Sequence, residues 1–556
     1  MRIRSQSWNT ARDLVGWQQF INQYEPEDFN CAFYVTPEYT RSMKPCRIAS
    51  YLFGKAYTGG SLTISGSRVK DRGQYDFLAD YFGLPTDFLS TVRFKPRVSN
   101  FLVDLGVYFG LDNVCDGMYF RVHAPMVHSM WKLDYCETVS FEGVNGYDEG
   151  YMDSTAVTNE NLAKKWSDSS INGIHTWGDM TEALQYTKIN SACCKRTKTK
   201  LSDLQMALGW NFFQAEDRHM GLHILAGFPT AGKHCCEYVF SPVIGNGGHF
   251  ELGAGVTASS RLWMSDDEER SLWVYVDANA AHLFKRRLLR TFDLIGKKDV
   301  DRSNSRYMLV QEMTSLAENL YTEVDGSYPA STFQYSGKLL PLANITTCCA
   351  DISIAVQGEF TAKFTYNTGR WSFDLGYNLW GRTGETICAC CKIPSNKYAL
   401  KGDAFIVGFG PGDDTSGLAA TESDATIYAG TNTPYGTDYV ENHKANPSID
   451  PTAALAWYND GVDRLGTDST RATQTRSSTT PIFLSCNDLD TRKTPAALSH
   501  KIFAHLGYAW NNDAPDDRWT PFLGIGGEAE FSGRVSGVYT ALSQWGFWLK
   551  GGLAFE

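Results

Sequence analysis

The sequence lacks long apolar runs and an excess of positive charge. No stretch among its 556 residues approaches the roughly 18 consecutive apolar residues of a transmembrane helix, and the mean hydropathy is only -0.30. The formal net charge is -11, whereas nucleic-acid-binding proteins carry a basic footprint. We therefore expect neither a helical membrane protein nor a nucleic-acid partner.

The first twenty residues lack the features of a secretory signal. MRIRSQSWNTARDLVGWQQF has early arginines, but no apolar core segment and no small-residue cleavage site. If the protein is exported, we expect this sequence to be the mature chain or to have lost its leader.

Motifs of common enzyme classes are also missing. The sequence contains no G-x-S-x-G, no H-E-x-x-H and no P-loop. The glycines of GIGGEAEFSG lie in a segment patterned as a continuous strand, which is unlike a dinucleotide-binding loop. GFGPGDD has neither a lysine nor a following helix. The sequence predicts a protein that is not an enzyme and has no cofactor.

The dominant pattern is long strands with one apolar and one polar face. In segment 351–382, alternate residues from Ile352 to Tyr366 are apolar or glycine, and the intervening ones are polar or charged except Ala355. After the turn NTGR the alternation resumes at Trp371. These strands are about twice the usual ~5–6 residues and approach the ~9–11 tilted residues that cross a bilayer.

Two kinds of sheet protein show such alternation. A soluble sandwich points its apolar face inward, whereas a membrane barrel points it outward to lipid and its polar face to the lumen. The strand length favours the barrel, as do Tyr366, Trp371, Leu379 and Trp380 near strand ends, where an interfacial aromatic girdle would lie.

The same alternation recurs along the chain, and the connections between strands alternate in length. Five connections are short and polar: GLDNVCD, QAED, SDDEER, NTGR and NNDAPDDR. Between these hairpins lie long connections at about 130–202, 229–248, 285–350 and 383–499. Short periplasmic turns and long extracellular loops are typical of bacterial outer-membrane barrels. This parity places the C-terminus on the periplasmic side.

The predicted fold is all-β: a transmembrane antiparallel β-barrel of about 14 strands, within a range of 12–16, with long extracellular loops and an N-terminal helix. Residues 30–556 would form the barrel and its loops, and the weaker strand candidates in this range are CRIASYLF, SLTISGSRV, DAFIVGFG and TPIFLS. Residues 1–29 would be a helical segment, since NTARDLVGWQQFINQY has apolar residues at helical spacing, and would plug the barrel or lie on the membrane surface. SRYMLVQEMTSLAENLY predicts a second helix inside a long loop.

The C-terminal segment SQWGFWLKGGLAFE resembles the last strand of Gram-negative outer-membrane proteins. In that family, alternating apolar residues ending in an aromatic are recognised by the barrel-assembly machinery. The resemblance assigns this role to Trp545, Phe547, Leu549, Leu553 and Phe555, although Glu556 follows the aromatic here. The cysteine-bearing loops resemble those of major outer-membrane porins of chlamydia-like intracellular bacteria. The resemblance implies integral outer-membrane location, contact with the lipid bilayer, and a homotrimer or disulfide-linked neighbours.

Most of the 14 cysteines fall in the four long connections. In an oxidising extracellular space they would form disulfides, with connectivity that sequence does not determine. The disulfide candidates are Cys136, Cys193, Cys194, Cys235, Cys236, Cys348, Cys349, Cys388, Cys390, Cys391 and Cys486. Zinc binding and free or intermolecular thiols are the alternatives, but the usual Cys-x2-Cys pairs of zinc sites are missing, so we predict no metal site.

Charged residues on the polar strand faces are candidate pore-lining groups, because rings of charge set ion preference in channels. They are Arg121, His123, Asp277, Glu359, Lys363, Asp374, Arg382, Lys501, Glu528, Glu530 and Lys550. The alternative is that they hydrogen-bond one another in a filled lumen.

The sequence therefore predicts an outer-membrane porin for passive diffusion of small polar solutes or ions. One alternative is a structural envelope protein whose disulfide-linked loops form a lattice or contact a host. Another is a gated channel for apolar substrates, with the N-terminal helix as a plug.

Overall fold

The structure, a computed structural model, describes most of the chain. The described residues are 2–22, 30–66, 69, 72–85, 87–143, 175–182, 184–189, 195–232, 236–296, 301–315, 333–400, 426–428, 483–492, 494–510 and 519–555. The candidate strand DAFIVGFG lies outside them.

Twelve long antiparallel strands form a closed barrel. They are β1 (Cys31–Ser42), β2 (Arg97–Gly110), β3 (Met118–Lys132), β4 (Leu204–Ala215), β5 (Arg218–Phe228), β6 (Glu251–Met264), β7 (Arg270–Thr291), β8 (Thr347–Thr368), β9 (Trp371–Arg382), β10 (Ala497–Ala509), β11 (Trp519–Ser532) and β12 (Gln544–Phe555). Each strand pairs with the next in sequence, and β12 pairs with β1 from Phe555↔Cys31 to Gln544↔Ser42. Closure leaves no sheet edge in the ring, as a barrel in lipid requires.

The outer surface of this ring is apolar. On the final strand, Phe547 and Leu549 are 50% and 48% exposed, while the intervening Trp548 and Lys550 are fully buried. The same alternation places large apolar side chains outward on the other strands, among them Phe101, Leu105, Leu222, Ile224, Phe364, Leu375, Ile502 and Ile525. An apolar exterior with a charged interior is the reverse of a soluble sandwich and is the pattern of a transmembrane barrel.

Two further strands pair outside the ring. Arg196–Leu201 pairs with β3, and Glu385–Ala389 pairs with β8, so the whole sheet has 14 strands while the closed ring has 12. The predicted barrel and its strand range are confirmed. The weak candidate CRIASYLF is not a strand but lies in the helix Pro45–Phe53, and SLTISGSRV contributes Leu62–Ser65 outside the ring.

The two ends of the barrel differ in connection length. Residues 111–117, 216–217, 265–269 and 369–370 make short turns at one end, which we call the short-turn end. At the opposite end, the loop end, the connections are 43–96, 133–203, 229–250, 292–346, 383–496 and 533–543. The turn NNDAPDDR lies outside the described residues. The sequence pattern does not predict the first loop-end connection, 43–96, because its apolar segments CRIASYLF and SLTISGSRV are typical of short strands.

In the two longest strands, β7 and β8, the direction in which apolar side chains point changes where the strands extend beyond the barrel wall. Phe360 and Phe364 on β8 point outward, whereas Ile352 and Ile354 are fully buried, although all four lie on one face of the sequence pattern. The pairing of β7 with β8 shifts register near Leu283, with one extra residue on β8. This bulge exchanges the two faces, so that apolar residues turn to lipid in the wall and to protein above it.

The loop-end connections fold into a compact unit with its own core. Its described residues include the helices Pro45–Phe53, Trp177–Glu182 and Leu342–Thr346. Two small sheets complete it: Phe77–Leu78, Leu62–Ser65, Leu89–Phe94 and Tyr135–Phe141, and Phe333–Pro341, Leu309–Ser315 and Tyr398–Leu400. We call these helices and sheets the cap. Their buried side chains form one cluster with Val98 and Trp131 at the barrel rim, so the cap packs directly on the barrel mouth.

The predicted helices are shorter than expected or differ in kind. The N-terminal helix is only Thr10–Leu14, followed by a single 3-10 turn at Gln18–Phe20. The predicted helix SRYMLVQEMTSLAENLY is wrong over Leu309–Ser315, which is a strand, and its remainder lies outside the described residues apart from the 3-10 turn Ser305–Tyr307. None of the helices in the described residues has the length and apolar character to cross a membrane.

Candidate functional site

Residues 2–22, which we call the N-terminal segment, contact inward-facing side chains around nearly the whole ring. Polar contacts join this segment to ten of the twelve barrel strands, at Glu38, Asp104, His123, Asn211, Glu251, Glu359, Asn378, Lys501, Glu528 and Lys550. A segment that touches strands on all sides of a closed ring lies inside it. The candidate site is therefore the interface between the N-terminal segment and the barrel wall.

Arg12 pairs with two carboxylates of the barrel wall. Its guanidinium is 1% exposed and lies between two wall carboxylates, with Nη1 2.6 Å from Glu38 Oε2 and Nη2 2.8 Å from Asp104 Oδ2. Nη2 also donates to the backbone oxygen of Gln6 at 3.0 Å. Arginine suits this position because its planar fork of donors serves several acceptors at once.

Arg4 makes a similar contact on the opposite wall. Its guanidinium lies 3.0 Å from Glu359 Oε1 and 3.3 Å from Glu530 Oε1, and Nη2 donates to Asn378 Oδ1 at 2.9 Å. It also lies 5.5 Å from the ring centroid of Trp380. The prediction that Trp380 belongs to an interfacial girdle is wrong: it is 1% exposed and faces inward, where Arg4 supplies a cation–π partner.

The helix Thr10–Leu14, which contains Arg12, and the residues just before it are held by uncharged as well as charged groups. Thr10 Oγ1 donates to Glu359 Oε2 at 2.9 Å, and Trp8 Nε1 donates to Glu251 Oε2 at 2.7 Å. Lys501 Nζ donates both to Asn9 Oδ1 at 2.8 Å and to Glu528 Oε2 at 2.7 Å. Asn9 also caps the helix, accepting from the backbone N–H of Arg12.

The end of the helix rests on Lys550. Its ammonium donates to the backbone oxygens of Arg12 and Asp13 at 3.1 and 2.9 Å, and lies over the rings of Tyr34 and Trp17. A cation beside terminal carbonyls complements the negative end of a helix.

All predicted pore-lining residues lie on the inner side of the barrel or at its rim, and most are buried in pairs. Lys363 contacts Asp374 at 2.7 Å, Arg121 lies 3.9 Å from Asp277, and the pairs of Glu359, Lys501, Glu528, Glu530 and Lys550 are those above. Arg382 sits at the loop-end rim beside Glu385. The charges therefore satisfy one another and the N-terminal segment, which is the filled-lumen arrangement; a role in lining an open pore stays a prediction.

Sequence reasoning missed half of this interface. It did not assign roles to Arg4, Arg12, Glu38, Asp104 or Glu251. The available signals were the early arginines and the position of Asp104 on the polar face of SNFLVDLGVYF.

One group in the lumen has metal-ligand chemistry. The ligand atoms of Asp13, Asp104 and His123 lie within 4.8 Å of one another. His123 bridges the two carboxylates, with Nε2 3.7 Å from Asp13 Oδ2 and Nδ1 3.4 Å from Asp104 Oδ1. Because Arg12 already lies 2.8 Å from Asp104, an added cation would be opposed by a neighbouring positive charge. Metal binding is therefore not the favoured use of this group.

The cavity beside residues 7–17 of the N-terminal segment is small. A cavity of about 60 Å³ remains among Trp8, Trp17, Tyr34, Arg121 and His223. A dry cavity of ~150 Å³ is needed to hold even benzene. This cavity has room for a few waters but not for a solute.

At the loop end, Glu385 joins the N-terminal segment to the barrel rim. Its carboxylate pairs with Arg2, with Arg382 at 3.0 Å and with Arg290 at 3.3 Å. Burial would raise the pKa of Glu385, but the guanidinium groups of Arg2, Arg290 and Arg382 lower it to about 2. Glu385 is therefore ionised at every physiological pH.

We expect this cluster to make folding stability pH-dependent. The carboxyl pKa is 4.5 without neighbours and about 2 in the folded protein, so its contribution is complete above 4.5 and is lost as pH falls through 2. The contribution is on the order of 3 kcal/mol before solvent screening. Urea unfolding in detergent at pH 6 and pH 3 should show a smaller pH effect for Glu385→Gln than for the natural chain. Equal pH effects would contradict this assignment.

Of the cysteine candidates, Cys348 and Cys391 form a disulfide that joins the start of β8 to the connection after β9. Cys136, Cys349, Cys388, Cys390 and Cys486 are exposed thiols. Cys236 donates to the backbone oxygen of Leu289 at 2.8 Å. Cys193, Cys194 and Cys235 lie outside the described residues. The remaining disulfides stay predictions.

The C-terminal residues assigned to barrel insertion lie on β12. Trp545, Phe547, Leu549 and Leu553 point outward, and Phe555 packs against Trp519 with ring centroids 4.9 Å apart. They would be accessible to assembly machinery on the lipid side, but recognition by that machinery stays a prediction.

No protein-family model matches this chain, and no curated protein sequence matches it. Among solved structures, it is similar to an outer-membrane channel from Pseudomonas putida F1 at 8% identity, with 96% of this chain and 100% of that chain covered and a TM-score of 0.31. A Pseudomonas aeruginosa FadL homologue aligns at 7% identity over 95% and 90% of the two chains, with a TM-score of 0.23. The transport unit of the Escherichia coli autotransporter AIDA-I aligns at 6% identity over 100% of both, with a TM-score of 0.22.

These likenesses are too distant to carry an argument, so the class of protein follows from the barrel itself. The ring is closed, its outer surface is apolar, its inner surface is charged, and its connections alternate between short and long. Only helices and closed barrels can span a bilayer. The chain is an integral outer-membrane β-barrel in contact with the lipid bilayer.

Proposed function

We propose that this protein is a gated outer-membrane channel, in which the N-terminal segment closes the lumen and its displacement opens a path for small polar solutes. The observation that carries the proposal is the ring of polar contacts between residues 2–22 and ten barrel strands. A structural barrel needs only wall-to-wall packing, whereas a separate chain segment held by charge pairs can leave without disturbing the backbone pairing of the wall.

The charge of the wall supports a polar solute. If the N-terminal segment left, it would expose Glu38, Asp104, Glu359, Glu528 and Glu530 to the lumen. Water and hydrated ions can solvate these groups, but an apolar substrate would desolvate them without supplying hydrogen bonds. A free-diffusion porin is less well supported, because the segment contacts ten strands of the wall and the cavity beside Trp8 and Trp17 has only about 60 Å³.

The orientation follows from connection length. In bacterial barrels the short turns are periplasmic and the long loops extracellular. The cap would therefore cover the extracellular mouth, and the short-turn end, near Cys31 and Phe555, would face the periplasm.

Planar-bilayer recordings test the proposal. The full chain should give few or no conductance steps, whereas a variant lacking residues 2–22 should give steady ohmic steps. Adding a synthetic peptide of residues 2–22 to the deletion variant should suppress those steps. Folding of both proteins is checked by heat-modifiable migration in SDS gels.

Two results would contradict the gate. Equal conductance in the two proteins would mean that the segment does not close the lumen. A folded deletion variant without steps would favour the structural envelope alternative, for which the exposed thiols of Cys349, Cys388, Cys390 and Cys486 are the supporting observation. Non-reducing gels of cell envelopes would then be expected to show disulfide-linked oligomers.

A further inference from the structure

A second cavity, of about 230 Å³, lies at the loop end where the N-terminal segment, the barrel rim and the cap meet. Part of its lining is apolar, and we call this part the apolar side. It includes Ile3 of the N-terminal segment, Ile48 and Leu52 of the cap, Trp131 at the end of β3 and Phe240. The cavity is large enough for one small ring, since ~150 Å³ holds benzene, but is smaller than the ~300–1,000 Å³ of drug-sized pockets.

The same lining contains a cationic group. Arg2, Arg290 and Arg382 form this group, and the described lining contains a single carboxylate, Glu385. Burial lowers the pKa of His249 below its ordinary value of 6.5, so this lining residue is neutral at pH 7. Within the lining, three guanidinium groups therefore face one carboxylate, and outside it Glu251 also interacts electrostatically with Arg382.

The arginines also have unused donors. The Nε atoms of Arg2 and Arg382 are buried and donate no hydrogen bond within the described part of the chain. A buried donor without an acceptor is unfavourable, and buried positive charge is normally balanced by an anion. The single carboxylate Glu385 therefore leaves cationic donors of the lining without an acceptor.

We infer that this cavity binds a small amphipathic anion, a carboxylate or similar acidic group on a compact apolar body of about one ring. The acidic group would contact Arg2, Arg290 and Arg382, which present the planar donors that bind carboxylates in pairs. The apolar body would cover Ile48, Trp131 and their neighbours. This inference goes beyond the proposed function and concerns equilibrium binding, so it can hold or fail whether or not the barrel conducts.

Neither half of the ligand would suffice alone. A neutral ring of the same size would leave the guanidinium excess unpaired, because it brings no charge. A small anion without a ring would leave the apolar side in contact with water. We therefore expect preference for benzoate over benzyl alcohol and over acetate, with each partial ligand bound at least about tenfold more weakly.

Isothermal titration calorimetry on the full chain in a nonionic detergent, with empty micelles as the blank, measures this preference at pH 7. Arg382→Gln should weaken benzoate binding about tenfold, since it removes one charged donor pair. Glu385→Gln should strengthen it several-fold, since it removes the competing carboxylate. Opposite effects at two residues in contact are not expected from a general loss of structure.

Arg287→Gln is the matched control. Arg287 lies on the same strand as Arg290, but its side chain is 64% exposed and pairs with Asp351 on the surface. Its replacement should leave benzoate affinity unchanged. Val243→Trp, which fills the cavity from the loop side without changing charge, should abolish binding.

Three results would overturn the inference. Folded protein that takes up no benzoate would show that the cavity is not a ligand site. Equal affinity for acetate and benzoate would show that the apolar side takes no part. Equal weakening by Arg382→Gln and Arg287→Gln would place the bound anion elsewhere.

Discussion

Replacing Arg12 by glutamine should convert a closed barrel into a conducting one. The substitution removes the guanidinium that lies 2.6 Å from Glu38 and 2.8 Å from Asp104, and leaves both carboxylates buried without their counter-charge. Breaking a buried ion pair from one side costs about 3–5 kcal/mol. Glutamine keeps polarity and approximate length, so the loss is chiefly that of charge. We expect the N-terminal segment to leave the lumen and conductance steps to appear in planar bilayers.

Two further substitutions at the same interface should reverse the effect of Arg12→Gln. If the effect of Arg12→Gln is the unpaired charge, then adding Glu38→Gln and Asp104→Asn should restore the closed state, because no carboxylate is then left uncompensated. Arg287→Gln, which removes an exposed guanidinium, should remain closed throughout. A triple variant that conducts as strongly as Arg12→Gln would mean that Arg12 acts through shape and not through charge.

The buried ion pairs that hold the N-terminal segment in the lumen also affect the free energy needed to open it. The segment is bound by its ion pairs, with Arg4 and Arg12 contacting different strands, and by apolar packing of residues such as Trp17 against the wall. Both arginines would be re-solvated in an open lumen, so the net cost of opening is smaller than the sum of the pairs broken. Such an arrangement is suited to a segment that leaves and returns.

The barrel was predictable because its signal is local. In a wall strand such as β9, Phe373 and Leu375 must face lipid and Asp374 must face inward, so the period of two is imposed residue by residue. Short turns add a second local signal. Neither signal depends on contacts between residues that are distant in sequence. This is why the long strands and the alternation of short and long connections could be predicted from the pattern.

The segments whose structure differs from the prediction lie where both faces of the chain are covered by protein. Leu309, Val310, Gln311 and Met313 are all buried in the cap, so their strand shows no alternation and its apolar spacing imitates a helix. Helix and buried strand are not separated by periodicity in such segments. Likewise, Trp380 was assigned to the lipid interface because nothing near it in sequence indicates that Arg4 would be its partner.

Replacing Trp177 by alanine should unfold the cap and leave the barrel intact. Its indole is fully buried at the centre of the cap, with ring centroids of Phe77 and Tyr307 5.8 and 5.7 Å away and Phe53, Phe82 and Tyr135 within 6.5 Å. Removing a buried tryptophan costs about 3–5 kcal/mol, a large share of the stability of a unit this size. The barrel strands are held by their own closed ladder and should not respond.

Limited proteolysis of the folded protein in detergent measures this difference. Trp177→Ala should make the cap cleavable at protease concentrations that leave the natural chain intact, while the barrel keeps its heat-modifiable migration in SDS gels. The matched control is Phe141→Ala, an aromatic of the same cap that is 47% exposed and should change little. If Trp177→Ala also destroyed the heat-modifiable form, the cap and the barrel would be one cooperative unit. Opening of the channel would then have to move both together, and a gate confined to the N-terminal segment would no longer be sufficient.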